Sequence, residues 1–121
     1  MGLKNARNAH SRLRVKFKLG EAVIGPGKIT LLQYIDEEGG ISAAARRLDL
    51  TYRRAWHLID TLNKAAGRPV VETSVGGQGG GGAQLTNFGR ELVNRYTEVM
   101  ERIEEDSDSF LGWLDNECDM D

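Results

Sequence analysis

Residues 41 to 82 read ISAAARRLDLTYRRAWHLIDTLNKAAGRPVVETSVGGQGGGG, and this stretch decides how the rest of the chain is understood. Ser42 is suited to cap a short helix of Ala43, Ala44, Ala45, Arg46, Arg47 and Leu48, because its hydroxyl can accept from a free backbone N–H. Asp49 and Leu50 then turn the chain. Thr51 is placed to cap a second helix in the same way. That helix can run to Ala66 and stop at Gly67, a residue that enters the left-handed region without a Cβ penalty.

The second helix carries two unlike faces. At the helical period Tyr52, Ala55, Leu58, Ile59, Leu62 and Ala66 share one side, and Arg53, His57, Asp60 and Lys64 share the other. Arg54 and Thr61 flank the polar strip. The alanines of the first helix allow two helix backbones to approach closely. Such a polar face fits a DNA major groove, with base contacts from its N-terminal residues. It fits an ordinary amphipathic surface helix equally well on pattern alone.

The segment after this helix favours the groove. Pro69 to Thr73 has the composition of a short strand and Ala83 to Thr86 that of its partner, with GGQGGGG between them. A loop without Cβ atoms lets backbone amides meet phosphates closely; a plain flexible loop is the alternative. Gly77 to Gly82 also spells G-x-G-x-x-G, but that dinucleotide pattern belongs before a helix in a βαβ unit, and here it leads into a strand. The expected fold is mainly α with small β: a winged helix-turn-helix with an N-terminal β-hairpin and a long C-terminal dimerisation helix.

Five segments together resemble a known family. They are Ser42-Ala43-Ala44-Ala45, Thr51-Tyr52-Arg53-Arg54-Ala55-Trp56, Val70-Val71-Glu72-Thr73, Gly76 through Ala83, and Leu85-Thr86. They look like the N-terminal DNA-binding domain of the ModE family of molybdate-responsive transcription regulators, itself similar to the LysR-type helix-turn-helix. The likeness covers roughly residues 13 to 103. Thr51 stands where the family usually has Ser, which keeps the cap. Gln78 stands where the family usually has a basic residue, which weakens phosphate attraction at the wing tip. Full-length members continue into a pair of molybdate-binding domains; this chain ends at Asp121, so it is expected to lack them and to need no cofactor.

The net charge of −2 is low for a partner of nucleic acid, but the charge is unevenly spread. Residues 1 to 86 carry 13 Lys/Arg against 7 Asp/Glu, whereas residues 87 to 121 carry 3 against 11. The cations thus lie on the part expected to touch phosphate, and the acids on an element expected to point away or to serve as a solubilising face. With 121 residues, 40% of them hydrophobic, the chain suits one domain with a modest core and an appendage. No apolar run is long enough to span a membrane and no signal peptide pattern opens the chain. A lone Cys118 cannot form an internal disulfide, so a cytoplasmic location is expected.

Outside the central stretch, residues 1 to 12 lack periodicity and are expected to be a flexible terminus. Leu13, Val15, Phe17 and Leu19 alternate with Arg12, Arg14, Lys16 and Lys18, predicting a strand. Gly20-Glu21 suits a tight turn and Ala22-Val23-Ile24 can pair back. Gly25-Pro26-Gly27 is expected to break the chain before a helix from about Lys28 to Glu37 that buries Ile29, Leu32 and Ile35. Residues 13 to 86 would form the DNA-binding domain. After it, Thr86 can cap a helix to about Glu105, within an acidic segment, 87 to 121, that serves dimerisation. Leu92, Tyr96, Val99 and Ile103 follow the four-and-three spacing of a coiled-coil seam. The spacing reaches Asp106, which breaks the seam, then Phe110 and Trp113. Ser107-Asp108-Ser109 is expected to interrupt the helix, leaving the apolar patch of FLGWLDNECDMD as a short docking helix.

The function expected is that of a sequence-specific double-stranded DNA-binding transcription regulator, acting as a homodimer. Arg53, Arg54 and His57 are the base-edge candidates, with Arg suited to guanine. Thr51, Tyr52, Lys64 and the wing residues Gly77, Gln78 and Gly79 are candidates for holding phosphates, and Ser42 joins the DNA-binding set. The alternative is a winged-helix adaptor for dimerisation or docking that does not read DNA. Chemistry has little support: His57 and Asp60 are too few for a metal site, Cys118 has no basic neighbours to favour its thiolate, and no nucleophile–base pair or small-molecule site is evident.

Overall fold

The computed structural model describes residues 13–74 and 82–118. The chain falls into two compact units, one of residues 16–94 and one that holds residues 95–118. The flexible terminus expected for residues 1 to 12 and the wing-tip residues Gly77, Gln78 and Gly79 lie outside the described residues.

The unit of residues 16–94 opens with a hairpin of β1 (Phe17–Leu19) and β2 (Ala22–Ile24), in register Phe17 to Ile24 and Leu19 to Ala22. Its turn needs a left-handed residue, and Gly20 supplies one at φ 56°. The strand expected from Leu13 shrinks to three residues. Ala22 and Ile24 of β2 enter the core, whereas Phe17 and Leu19 remain 37% exposed. With only one strand to pair with and little core beneath it, the alternating pattern of residues 13 to 16 has no partner that would extend the ladder.

Helix α1 (Pro26–Glu38) starts two residues before its expected boundary, with Pro26 inside it. Proline is tolerated at the first helical position because its missing N–H would be unpaired there, and its fixed φ already suits the helix. Gly39, at φ 77°, ends the helix and donates its N–H to the Ile35 carbonyl. Ile29, Leu31, Leu32 and Ile35 are buried along one side of α1.

Helix α2 (Ile41–Arg47) begins one residue before Ser42, so Gly40 holds the cap position and Ser42 makes no capping bond. The burial of Ile41 explains the shift, since drawing this side chain into the core brings it into the first helical position. Asp49 makes the turn at φ 58°, a conformation Asp tolerates better than most residues, and Leu50 donates its N–H to the Ala45 carbonyl. Helix α3 (Tyr52–Ala66) has the expected bounds: Thr51 Oγ1 accepts from the Arg54 N–H at 3.0 Å, and Gly67 stops the helix at φ 72°. Ala55, Ile59 and Leu62 are buried. Tyr52 departs from that apolar face and stands 53% exposed.

The wing is a ribbon of β3 (Val71–Ser74) and β4 (Gly82–Leu85), paired Val71 to Leu85 through Ser74 to Gly82. Pro69 and Val70, expected in the first strand, serve as its anchor instead. Asn63 of α3 accepts the Val70 N–H on its side-chain oxygen at 2.8 Å, and the Val70 carbonyl accepts the Thr86 N–H. The Ala83 N–H donates to the Gly39 carbonyl, tying the second strand to the end of α1. Thr86 Oγ1 accepts from the Gly89 N–H at 2.9 Å, the expected cap of the last helix.

That helix, α4 (Asn87–Glu117), extends twelve residues beyond Glu105 and does not break at Ser107-Asp108-Ser109. Ser107 instead donates its hydroxyl to the Glu104 carbonyl three residues back, so a residue read as a breaker is held inside the helix. The terminal FLGWLDNE is therefore the last part of the same helix and not a separate one. Gly89 and Val93 are the buried residues of α4 in the unit of residues 16–94.

Candidate nucleic-acid interface

The polar face of α3 is open to solvent. Thr51, Tyr52, Arg53, Arg54, His57, Asp60 and Lys64 are all exposed. Their display follows from what lies opposite: burying Ala55, Ile59 and Leu62 fixes the helix rotation and turns Arg53 and His57 outward. The Thr51 cap settles where the helix begins, and so which side chains occupy its leading turn.

These residues do not form one cluster. Arg53, His57, Asp60 and Lys64 follow each other along one strip. Arg54 lies about 100° round the helix from Arg53, on the side of Leu58. Lys64 Nζ is 3.0 Å from Asp60 Oδ2, so the last cation of the strip has a carboxylate partner. Both groups are more than half exposed, at 77% and 52%, and such a pair in water is weak enough to open for a stronger anion. Ser42 is exposed on α2. Tyr52 packs edge-on to Trp56, with ring centroids 6.4 Å apart, which steadies an aromatic side chain at the leading end of the helix.

Several other cations hold the fold together. Arg47 Nη1 donates to Glu37 Oε1 at 2.7 Å and Glu38 Oε2 at 3.1 Å, and its guanidinium lies 3.6 Å over the Tyr34 ring. The hydrogen bond to Glu37 raises the Arg47 pKa above the ordinary arginine value. Arg90 reaches back from α4 to Asp36 and to the Leu85 carbonyl, and Arg68 covers the Phe88 ring. All three therefore contribute to the basic count of the sequence while being engaged within the protein.

The structure adds a group that sequence patterning missed. Lys28, in the first turn of α1, half-buried, donates through Nζ to the Val23 carbonyl at 2.7 Å. It shares an open cleft with Arg54 and Lys16. Burial lowers the Lys28 pKa below the ordinary lysine value, and the positive charge of Arg54 adds to the effect. No motif joins residues 16, 28 and 54; only the packing of α1 against α3 and the hairpin brings them together.

In the second unit, Tyr96, Val99 and Ile103 are half-buried, as is Leu92 of the first. Burial raises the Tyr96 pKa, and the negative charge of Glu104 adds to it. Phe110 and Trp113 are 57% and 56% exposed and stack at 6.2 Å. Among the described residues no group of three or more metal-ligating side chains comes together, and no helix is long and apolar enough to cross a membrane.

A helix pair of this kind, followed by a two-stranded wing and a long helix, is a winged helix-turn-helix. The family model of the bacterial regulatory helix-turn-helix proteins of the lysR family matches residues 27–90, from the start of α1 to the first turn of α4. The chain belongs to this family. Among similar chains, the molybdenum transport protein ModE of Azotobacter vinelandii is 41% identical over 86 residues, 71% of this chain and 32% of that protein. The transcriptional regulator ModE of Haemophilus influenzae is 33% identical over 97 residues, 79% of this chain and 38% of that protein. The chain thus spans about a third of the length of these curated relatives. A crystal structure described as a CbnR_DBD-DNA complex shares the fold at a TM-score of 0.57 and 18% identity, covering 73% of this chain and 95% of that one.

Proposed function

We propose that this chain is a sequence-specific double-stranded DNA-binding transcription regulator of the ModE type that acts as a homodimer. The observation that carries the reading is the exposed polar face of α3, which presents Arg53 and His57 from a capped N-terminal turn while the opposite face is fixed in the core. In a helix-turn-helix this helix enters the major groove, and its N-terminal residues meet base edges. Arg53 offers two parallel N–H donors, which match guanine O6 and N7. Thr51, Tyr52 and Lys64, with the wing tip around Gln78, supply contacts to phosphate that set the register.

The apolar seam of α4 supports the homodimer. Leu92, Tyr96, Val99 and Ile103 repeat at coiled-coil spacing on a helix that runs on to Glu117. Two-fold pairing would place two copies of α3 about one helical turn, ~34 Å, apart on a palindromic site.

Fluorescence anisotropy with a labelled random duplex, titrated between about 50 and 200 mM salt, tests the reading. Affinity should fall steeply with salt, because each neutralised phosphate releases counterions. Selection from a random duplex pool should then return a two-half-site sequence. Absence of binding at the lowest salt would leave the helix face to another purpose, such as docking a protein.

A further inference from the structure

Beside the leading turn of α3 lies an open cleft that gathers three cations. Lys16, Lys28 and Arg54 line it, together with the Gly25-Pro26-Gly27 segment, Val23, Leu48, Leu50 and Leu58. No carboxylate is among the lining residues. Elsewhere in the unit of residues 16–94, Arg47 faces Glu37 and Glu38, Arg90 faces Asp36, and Lys64 faces Asp60. Two cations held close without an anion repel each other, and partly buried walls strengthen that repulsion. The Lys28 pKa is lowered accordingly, by burial and then by Arg54.

Gly27 and Lys28, which line the cleft, also carry first-turn backbone N–H groups of α1. Helix α1 has no side-chain cap at Gly25, and Pro26 has no N–H to give. The Gly27 and Lys28 amides fall among the first-turn donors that a helix cannot pair internally. They add to the cation cluster and do not by themselves make a site.

From this we infer that the Lys16–Lys28–Arg54 cleft is a phosphate clamp, which holds the DNA backbone beside the groove entered by α3. The inference rests on the proposed DNA-binding function and changes one assignment within it. Arg54, a base-edge candidate from the sequence, becomes a backbone contact. Its position ~100° from Arg53, toward Leu58, turns it to the flank of the helix where a strand would pass. Lys28 is a positioning residue: it fixes the register of α3 without touching a base. An anion suits three cations with no lining carboxylate, and a duplex strand supplies one wherever α3 lies in the groove.

The test compares Lys28→Gln, Arg54→Gln, Lys28→Arg and the unmodified protein on the selected duplex and on random duplex. Lys28→Gln and Arg54→Gln should each weaken both duplexes by the same factor. Each should also reduce the slope of log affinity against log salt by about 0.9, so that a fourfold rise in salt costs about threefold less affinity than before. Lys28→Arg should restore the charge and most of the binding. Thermal melts of the free proteins check that Lys28→Gln, which removes the bond to the Val23 carbonyl, still folds. Arg54→Gln, on the exposed flank of α3, tests the clamp independently of that bond. A loss confined to the selected duplex for Arg54→Gln would make Arg54 a base reader and overturn the clamp. Unchanged slopes for both Gln variants would overturn it too, while leaving the DNA-binding function intact. Failure of the unmodified protein to bind either duplex would overturn both.

Discussion

Gly89 in the first turns of α4 lies so close to Val70 that a Cβ placed on it would stand 2.1 Å from the Val70 carbonyl oxygen. The contact is with backbone, which cannot rotate away. The same Val70 carbonyl accepts the Thr86 N–H, and the Val70 N–H is held by Asn63, so the segment is pinned from both sides. Glycine here lets the wing anchor and the last helix share one small space.

Gly89→Ala should therefore destabilise the unit of residues 16–94 by about 3 kcal/mol or more, the upper end of overpacking costs. For a unit of this size that lowers Tm by roughly 10 °C or more. Gly112, in the same helix, provides the contrast, since a methyl group added there would meet nothing within 4 Å. Gly112→Ala should leave stability unchanged or raise it by roughly 0.5–1 kcal/mol, the helix preference for Ala. Urea unfolding of the two variants checks both; equal effects would mean that Gly89 is not held by Val70.

The two hydroxyls at the helix-turn-helix should behave differently. Thr51→Ala removes a 3.0 Å bond to the Arg54 N–H and should cost about 0.5–2 kcal/mol. Ser42→Ala should cost almost nothing, since Ser42 is exposed and makes no cap. A large loss of stability from Ser42→Ala would contradict the observed start of α2.

On DNA, Arg53→Ala should cost about 1–3 kcal/mol on the selected site and far less on random duplex, if its guanidinium reads a base. Lys64→Ala should weaken both and flatten the salt slope by about one unit. Asp60→Asn removes the carboxylate partner 3.0 Å from Lys64 and should tighten binding to every duplex. Equal losses on both duplexes for Arg53→Ala would remove it from the base-reading set.

For the dimer, Val99→Asp combined with Ile103→Asp should give monomers that retain the fold of residues 16–94 but bind a two-half-site duplex weakly. Each buried Val or Ile of a seam contributes about 1.5–3 kcal/mol. The acidic charge of residues 87 to 121 opposes pairing, and is screened beyond ~8 Å at physiological salt. Sedimentation should accordingly show a dimer that loosens at low ionic strength. A monomer at tens of micromolar would refute the seam and the half-site spacing derived from it.

Local rules suffice where a residue's own chemistry decides its conformation. Thr51 and Gly67 bound α3, Thr86 caps α4 and Gly20 turns the hairpin, and each is readable from residue type because capping and positive φ are properties of a few adjacent residues. The helical period likewise located Ala55, Ile59 and Leu62 in the core, and with them the exposure of Arg53 and His57. Tertiary packing overrode those rules where a partner far along the chain outweighed a local preference. Burial of Ile41 moved the start of α2 past Ser42, and lack of a second partner strand cut β1 to three residues. The most consequential differences concern groups with no sequence relation. Lys28 meets Arg54 because α1 packs beside the hairpin and α3, and Gly89 meets Val70 because the wing anchor crosses the last helix. Sequence spacing sets which side chains share a face, but charge and close contact depend on distances between elements, and those are established only when the core closes.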